Sequence, residues 1–163
     1  MSWLIERLRK YKDNRGMMSN LRCILVDNKK HRAWPVLHRL GIAIDDDVSS
    51  FVTGLYATHP EETSGGNFGA TCKSIEIKRE DARGGDNKLT STERRFQHLL
   101  AAERGDELHG RVLRMVLMAK AQGVPVDYNK LAPDLKWWGE DKKTEWATAF
   151  WTQGASSVSE EDV

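Results

Sequence analysis

Residues 90–118, TSTERRFQHLLAAERGDELHGRVLRMVLM, constrain the fold more than any other stretch, because they spell two helices joined by one tight turn. Thr90 and Glu93 stand at capping-box spacing, and Gly105 offers a left-handed stop with Asp106 placed to cap the next helix. On the first helix Phe96, Leu99, Leu100 and Glu103 share a face by the i, i+3, i+4 rule, with Arg95 and Arg104 on its flanks. The second is apolar on nearly every side, with Leu108, Val112, Met115 and Val116 on one and Leu113 and Leu117 on another. Only a strip through Arg111 and Arg114 stays charged. This pattern predicts a central helix that presents two cations from one edge.

The rest of the chain repeats the helical period. Trp3, Leu4, Ile5, Leu8 and Tyr11 gather on one side of an N-terminal helix, and Asp13–Gly16 reads as a turn. Met17, Leu21, Ile24 and Leu25 face inward on a second helix, with Arg22 at the border. His31–Leu40 forms a third helical segment around Trp34, Val36, Leu37 and Leu40, with Pro35 suited to a first helical turn. Three acids, Asp45–Asp47, precede an apolar helix from Val48 to Thr58, where they favour the helix dipole. Asn67 can cap Phe68–Ile75, and the charged stretch 76–89 with its Gly84–Gly85 pair reads as a mobile surface loop. After the corner at 122–126, Asp127 can cap a segment with Tyr128, Leu131 and Leu135 inward, which Pro133 divides into two short turns. Glu140–Trp151 forms a last helix presenting Trp146, Ala147, Phe150 and Trp151. Trp137 and Trp138 beside Gly139 read as a wedge between two helices; because one of the pair must point differently from the other, the alternative is an exposed stacking surface. No stretch carries a period-2 strand pattern. The sequence therefore predicts an all-α protein, a compact bundle of about eight or nine short helices in two lobes, over residues 1–153. The polar, acidic tail 154–163 is expected to be disordered.

Searching for chemistry excludes more than it finds. Asp45–Asp47 lack the alternating ligands, the Gly and the distal Glu of an EF-hand. Lys73-Ser74 lacks the glycine and the leading strand of a phosphate-binding loop. The five histidines form no metal-ligand pair, no nucleophile motif is present, and Cys23 and Cys72 read as reduced thiols of a cytoplasmic protein. No catalytic residue, metal or cofactor is expected, and no run is long enough for a membrane helix.

Charge is the remaining signal. The net charge of +1 conceals an asymmetry, because the last ten residues hold three acids and no base. Between Gly16 and Ile44, five bases (Arg22, Lys29, Lys30, Arg32 and Arg39) face the single acid Asp27. Charges at helix borders are ordinarily solvated. Here, however, Arg22, Arg95, Arg104, Arg111 and Arg114 all border apolar faces with little acid nearby, a setting in which arginine can clamp phosphates. A local positive patch of this kind suits a protein that holds nucleic acid within a larger assembly.

Specific motifs sharpen this reading. The runs ERRFQHLLAAER (Glu93–Arg104), LHGRVLRMV, GVPVDYNKLAPDLKWW (Gly123–Trp138) and WATAFW (Trp146–Trp151) resemble the CasB family, the small subunit of the type I-E CRISPR Cascade surveillance complex. NRGMMSNLRCIL, AWPVLHRLG and VTGLYATHPEETSGGNFGATCKSI extend the resemblance over nearly the whole chain. It implies a non-enzymatic all-α subunit that pairs head to tail with a second copy and contacts the crRNA-bearing backbone subunits and the large subunit. It further implies a basic surface that holds the displaced strand of target DNA and stabilises the R-loop. The family's basic positions fall on Arg22, Arg95, Arg104, Arg114, Lys142 and Lys143. The sequence departs from the family at Cys23, where some relatives carry a second base, and at acidic Asp45–Asp47. The alternative reading is a stand-alone helical DNA-binding regulator, which would need a base-reading recognition helix. The helix carrying Arg111 and Arg114 is too apolar for that.

Overall fold

Among the described residues, caps and hydrophobic spacing generate nine α-helices and no strand. The computed structural model describes residues 2–81 and 88–162, and side chains over 3–81 and 88–151. In chain order the helices are α1 (Ser2–Arg9), α2 (Arg15–Arg22), α3 (Trp34–Leu40), α4 (Asp47–Thr58), α5 (Phe68–Arg79), α6 (Ser91–Leu100), α7 (Asp106–Gln122), α8 (Tyr128–Lys136) and α9 (Glu140–Asp162). Two 3-10 segments, Cys23–Leu25 and Asp27–Arg32, link α2 to α3. The all-α expectation holds. The expected acidic tail and the Gly84–Gly85 signal lie outside the described side chains.

The chain divides into two compact units. The first comprises residues Met1–Glu62 with Tyr128–Lys136, so α8 returns to pack on α4 and α1. Leu4, Ile5 and Leu8 are fully buried on α1, but Trp3 and Tyr11 are exposed, contrary to the sequence reading. The helix stops at Arg9, so Tyr11 leaves the buried face, and Trp3 instead lies beneath the Arg7 guanidinium at 4.9 Å. Trp34 is likewise exposed. The true inner stripe is Ala33, Val36, Leu37 and Leu40, one i, i+3, i+4, i+7 series from which Trp34 is excluded. Asp46 caps α4 by accepting from the Ser49 amide, which accounts for an acid at that helix start. Pro133 does not divide α8: the helix runs through it, anchored by buried Leu131, Ala132, Asp134 and Leu135. Burial of those side chains offsets the one helix hydrogen bond a proline removes.

Tyr128 pins α8 to the end of α4, its hydroxyl donating to the carbonyls of Leu55 (3.3 Å) and His59 (2.5 Å). The neighbouring Tyr56 hydroxyl is buried, and no acceptor meets it with hydrogen-bond geometry. Glu62 adds negative charge nearby and is itself held in a two-toothed pair by Arg9, at 2.8 and 2.9 Å. Burial, and then the Glu62 charge, push Tyr56 up to about 12. Burial raises Tyr128 still further.

The second unit comprises Thr63–Asp127 with Trp137–Val163 and centres on the crossing of α5 and α9. Gly69 makes that crossing possible. A Cβ built there would lie 2.0 Å from the Trp146 carbonyl oxygen, so only glycine lets the two backbones approach this closely. Around the crossing, Phe68 packs on Trp146 (5.3 Å), Trp138 on Trp146 (4.7 Å), and Phe96 stacks on Phe150 at 4.6 Å. Cys72 lies in this core, and burial raises its thiol far above the ordinary range.

The predicted loop at 76–89 begins later than expected, because α5 continues to Arg79 with Glu76 buried. Glu76 has a structural use: Lys73 pairs with it at 2.8 Å, and the Thr90 hydroxyl donates to it at 2.7 Å. The predicted capping box of α6 is present, with Thr90 and Glu93 bonded reciprocally at 2.8 and 3.0 Å. The Glu93 carboxylate also accepts the Trp151 indole N–H at 2.9 Å. In contrast, α6 ends at Leu100 rather than carrying Glu103, and Gly105 (φ 108°) starts α7 instead of stopping α6. The connection is therefore longer than one tight turn, and buried Ala102 plugs it. Nor is α7 buried all round. Leu108, Val112, Met115, Val116 and Ala119 face inward, while Leu117 and Arg114 are exposed.

Two outcomes follow from this packing. Gly69→Ala should destabilise the second unit by about 1–3 kcal/mol or more, read as a lowered midpoint in chemical denaturation. Unfolded tyrosine ionises near pH 10, while folded Tyr56 holds its proton to about pH 12. The unfolded state therefore releases protons first, and stability should fall as pH rises above about 10. Tyr56→Phe removes the titrating hydroxyl and should flatten that decline, measured by denaturation from pH 8 to 11.

Candidate nucleic-acid interface

Basic side chains reach the surface on both units, and the backbone decides which of them are free. On the first unit, the 3-10 segment Asp27–Arg32 and α3 carry Lys29, Lys30, Arg32 and Arg39, all exposed. A 3-10 turn advances three residues per turn and leaves this short polar stretch almost wholly in solvent. Its one acid, Asp27, reaches only Lys30, at 3.5 Å, with the Asp27 side chain fully exposed. Such a pair is worth little. Lys29, Arg32 and Arg39 have no acidic partner among the described residues. Arg22 is exposed at the end of α2, where its Nε donates to the Met18 carbonyl at 3.3 Å. The basic run of the first unit is thus exposed on the 3-10 segment and on α3.

On the second unit the predicted cations divide by use. Arg104 donates to the Trp138 carbonyl at 2.8 Å, and Arg111 to the His98 carbonyl at 2.6 Å, with Glu107 a further 3.3 Å partner. The carbonyls of the last turn of a helix have no partner within it. Arg111 supplies one for α6, and so ties α7 to it. Arg95 leans on the Met118 sulfur at 3.3 Å. Lys142 and Lys143 pair along α9 with Glu145 and Glu140 at 3.5 and 3.8 Å. Arg114 is exposed and has no acidic partner among the described residues.

An open concavity on this unit is lined by Arg94, Arg95, Gln97, His98 and Ala101. Arg94 is a basic residue that the sequence reading passed over. Its signal was present, since 94, 97, 98 and 101 form the helical stripe opposite Phe96 and Leu99. The described residues contain no cluster able to hold a metal ion and no helix long and apolar enough to cross a membrane. What the geometry offers is a set of exposed cations.

Comparison with known proteins bears on this arrangement. The family model described as CRISPR-associated protein Cse2 matches residues 18–151. This chain belongs to the Cse2 family. Among solved structures it is similar to TTHB189, a CRISPR-associated protein of the Cse2 family from Thermus thermophilus, at TM-score 0.70 and 19% identity, covering 91% of this chain and 95% of that one. It is also similar to CasB from Thermus thermophilus (TM-score 0.67, 22% identity, 92% and 94% covered) and to M. ruber CasB (0.63, 20%, 88% and 88%). No curated protein matches the sequence. The resemblance to CasB carried by the sequence motifs is thus shown, and the helical fold agrees with it. Cse2 membership supports a place as a CRISPR-associated subunit of a Cascade complex.

The hydrogen bonds separate structural from free arginines in a way that stability measurements can check. Arg104→Ala and Arg111→Ala should each cost about 1 kcal/mol by leaving a carbonyl unmatched, read in chemical denaturation. Arg114→Ala should leave the midpoint unchanged.

Proposed function

We propose that this Cse2-family protein is a non-catalytic small subunit of a type I-E Cascade complex, in which it holds the displaced strand of target DNA. In this reading it sits as a head-to-tail pair against the crRNA-bearing backbone subunits and the large subunit, in the cytoplasm. The observation that carries the reading is the exposed run Lys29, Lys30, Arg32 and Arg39, opposed by one fully solvated acid. Arg22, Arg95, Arg114, Lys142 and Lys143 contribute further phosphate contacts. Arg104 and Arg111 contribute mainly by holding the helices that carry the others.

Energetics favour such a role for weak contacts. R-loop formation exchanges one duplex for another of similar stability. A few phosphate contacts to the ejected strand can then tip the balance, each steepening the log–log salt dependence of binding by about 0.7 for single strands. Contacts of this kind are blind to base sequence, as a guide-directed complex requires.

The test is an Arg32→Glu, Arg39→Glu variant assembled into crRNA-loaded Cascade. Assembly should persist, R-loops should dissociate at least several-fold faster, and the log–log salt slope should become shallower. Unchanged R-loop lifetime with intact assembly would remove the first-unit patch from the strand path. Full target binding by Cascade lacking this subunit would overturn the reading itself.

A further inference from the structure

The exposed tryptophans among the described residues are not equivalent: Trp137, the most exposed at 66%, is followed by the exposed acids Glu140 and Asp141, which disfavour an anionic strand. Trp3 is covered by the Arg7 guanidinium at 4.9 Å, and the indole N–H of Trp151 is spent on Glu93 at 2.9 Å. Trp34 is 45% exposed, and its described ring contact is with His31, edge to face, at 6.5 Å and 74°. It sits at the start of α3, where Pro35 fixes the first turn and Ala33, Val36, Leu37 and Leu40 anchor the opposite side in the core. The indole is therefore held on a rigid element and turned away from the core of its unit. Single exposed apolar side chains are ordinary; what distinguishes this ring is the set of side chains around it in the chain that could recruit a cover.

Its neighbours state the chemistry of that cover. Lys29, Lys30 and Arg32 precede Trp34 on the 3-10 segment, His38 lies one helical turn beyond it, and Arg39 follows, all of them exposed. Lys29, Arg32 and Arg39 are unmatched by acids among the described residues. A rigid aromatic face flanked in the chain by unmatched cations is complementary to an unpaired nucleotide, whose phosphates meet the cations while its base stacks on the ring. Duplex DNA offers phosphates but no free base face, and a protein partner would have to supply several acids.

We propose that Trp34 is a stacking platform for a base of an unpaired DNA strand, with the Lys29–Arg39 cations gripping the flanking phosphates. The inference rests on the proposed strand-holding role and deepens it: the site distinguishes unpaired from paired DNA by the exposed base. Stacking is indifferent to base identity because every base has a π-face, so the platform adds affinity without adding sequence preference.

The full chain, at low salt, is titrated with a thymidine oligonucleotide and with an abasic strand of the same length and charge. Wild type should prefer the thymidine strand by about 10-fold, a typical value for one stacked base. Trp34→Ala should lose that preference while keeping its affinity for the abasic strand and its salt slope. Trp34→Phe should retain most of it. Wild type should show base-dependent quenching of tryptophan fluorescence, and both variants should lack it. Equal binding of the two strands by wild type, or an undiminished preference in Trp34→Ala, overturns the platform. A Lys29→Ala, Arg32→Ala, Arg39→Ala variant separates the two levels. If it loses both strands while Trp34→Ala loses neither, the phosphate reading stands and the stacking reading falls. If it binds both strands as wild type does, the strand-holding reading of this patch falls and the platform falls with it. Loss of Cascade assembly in Trp34→Ala, with strand binding intact, assigns the ring to a protein neighbour and overturns the proposal.

Discussion

At Gly69 the backbone of α5 meets the carbonyl of Trp146 so closely that no side chain fits between them, and the second unit is assembled around that contact. Trp146 is fully buried there, and Phe68 and Trp138 close over it. One turn further along α9, Phe150 stacks on Phe96 and so fixes α6. The Trp138 carbonyl takes Arg104, and the Trp138 indole donates to the Ala102 carbonyl at 3.2 Å. Close-packed interiors transmit displacement rather than absorb it. Movement at the crossing would therefore reach the connection between α6 and α7, and with it the surface that carries Arg94 and Arg95.

Polar groups in this unit serve the same end. Glu93 caps its own helix with one oxygen and receives the Trp151 indole with the other, while Glu76 is matched by Lys73 and Thr90. Asp81 accepts from both the amide and the hydroxyl of Thr92 and pairs with Arg79 at 3.2 Å. Buried or part-buried carboxylates are costly without partners. Each of these has more than one, and together they join α5, α6 and α9. No chemistry needs to be assigned to them.

Arginine has two uses in this protein, and the difference lies in what the backbone leaves unmatched nearby. Where a carbonyl lacks a partner, as at His98 and Trp138, the guanidinium is drawn inward and becomes a brace. Where the local backbone is satisfied, as along the middle of α7 at Arg114 or on α3 at Arg39, the side chain extends into solvent. The first unit takes the second course almost throughout its basic run, because a short 3-10 segment between two helices buries little. That leaves the Lys29–Arg39 stretch and Trp34 as the surface on which the proposed strand contacts are centred.

Much of this was legible in the chain itself. The capping box at Thr90–Glu93, the Asn67 cap, the apolar stripe of α4 and the absence of any strand period all depend on residues close in sequence, where propensity and spacing act directly. The basic bias of residues 16–44 was equally plain, as were the motifs that tie the chain to its family. The stripe Ala33, Val36, Leu37 and Leu40 places Trp34 outward, because a buried alanine extends the apolar face. What only the tertiary structure decided were the pairings between distant elements. Nothing local in the sequence marks Gly69 as the seat of Trp146, extends α5 to bury Glu76, or sends Arg104 and Arg111 to carbonyls 34 and 13 residues away. A helix border position looks alike in sequence whether it faces solvent or an unmatched carbonyl, and only packing brings the carbonyl there.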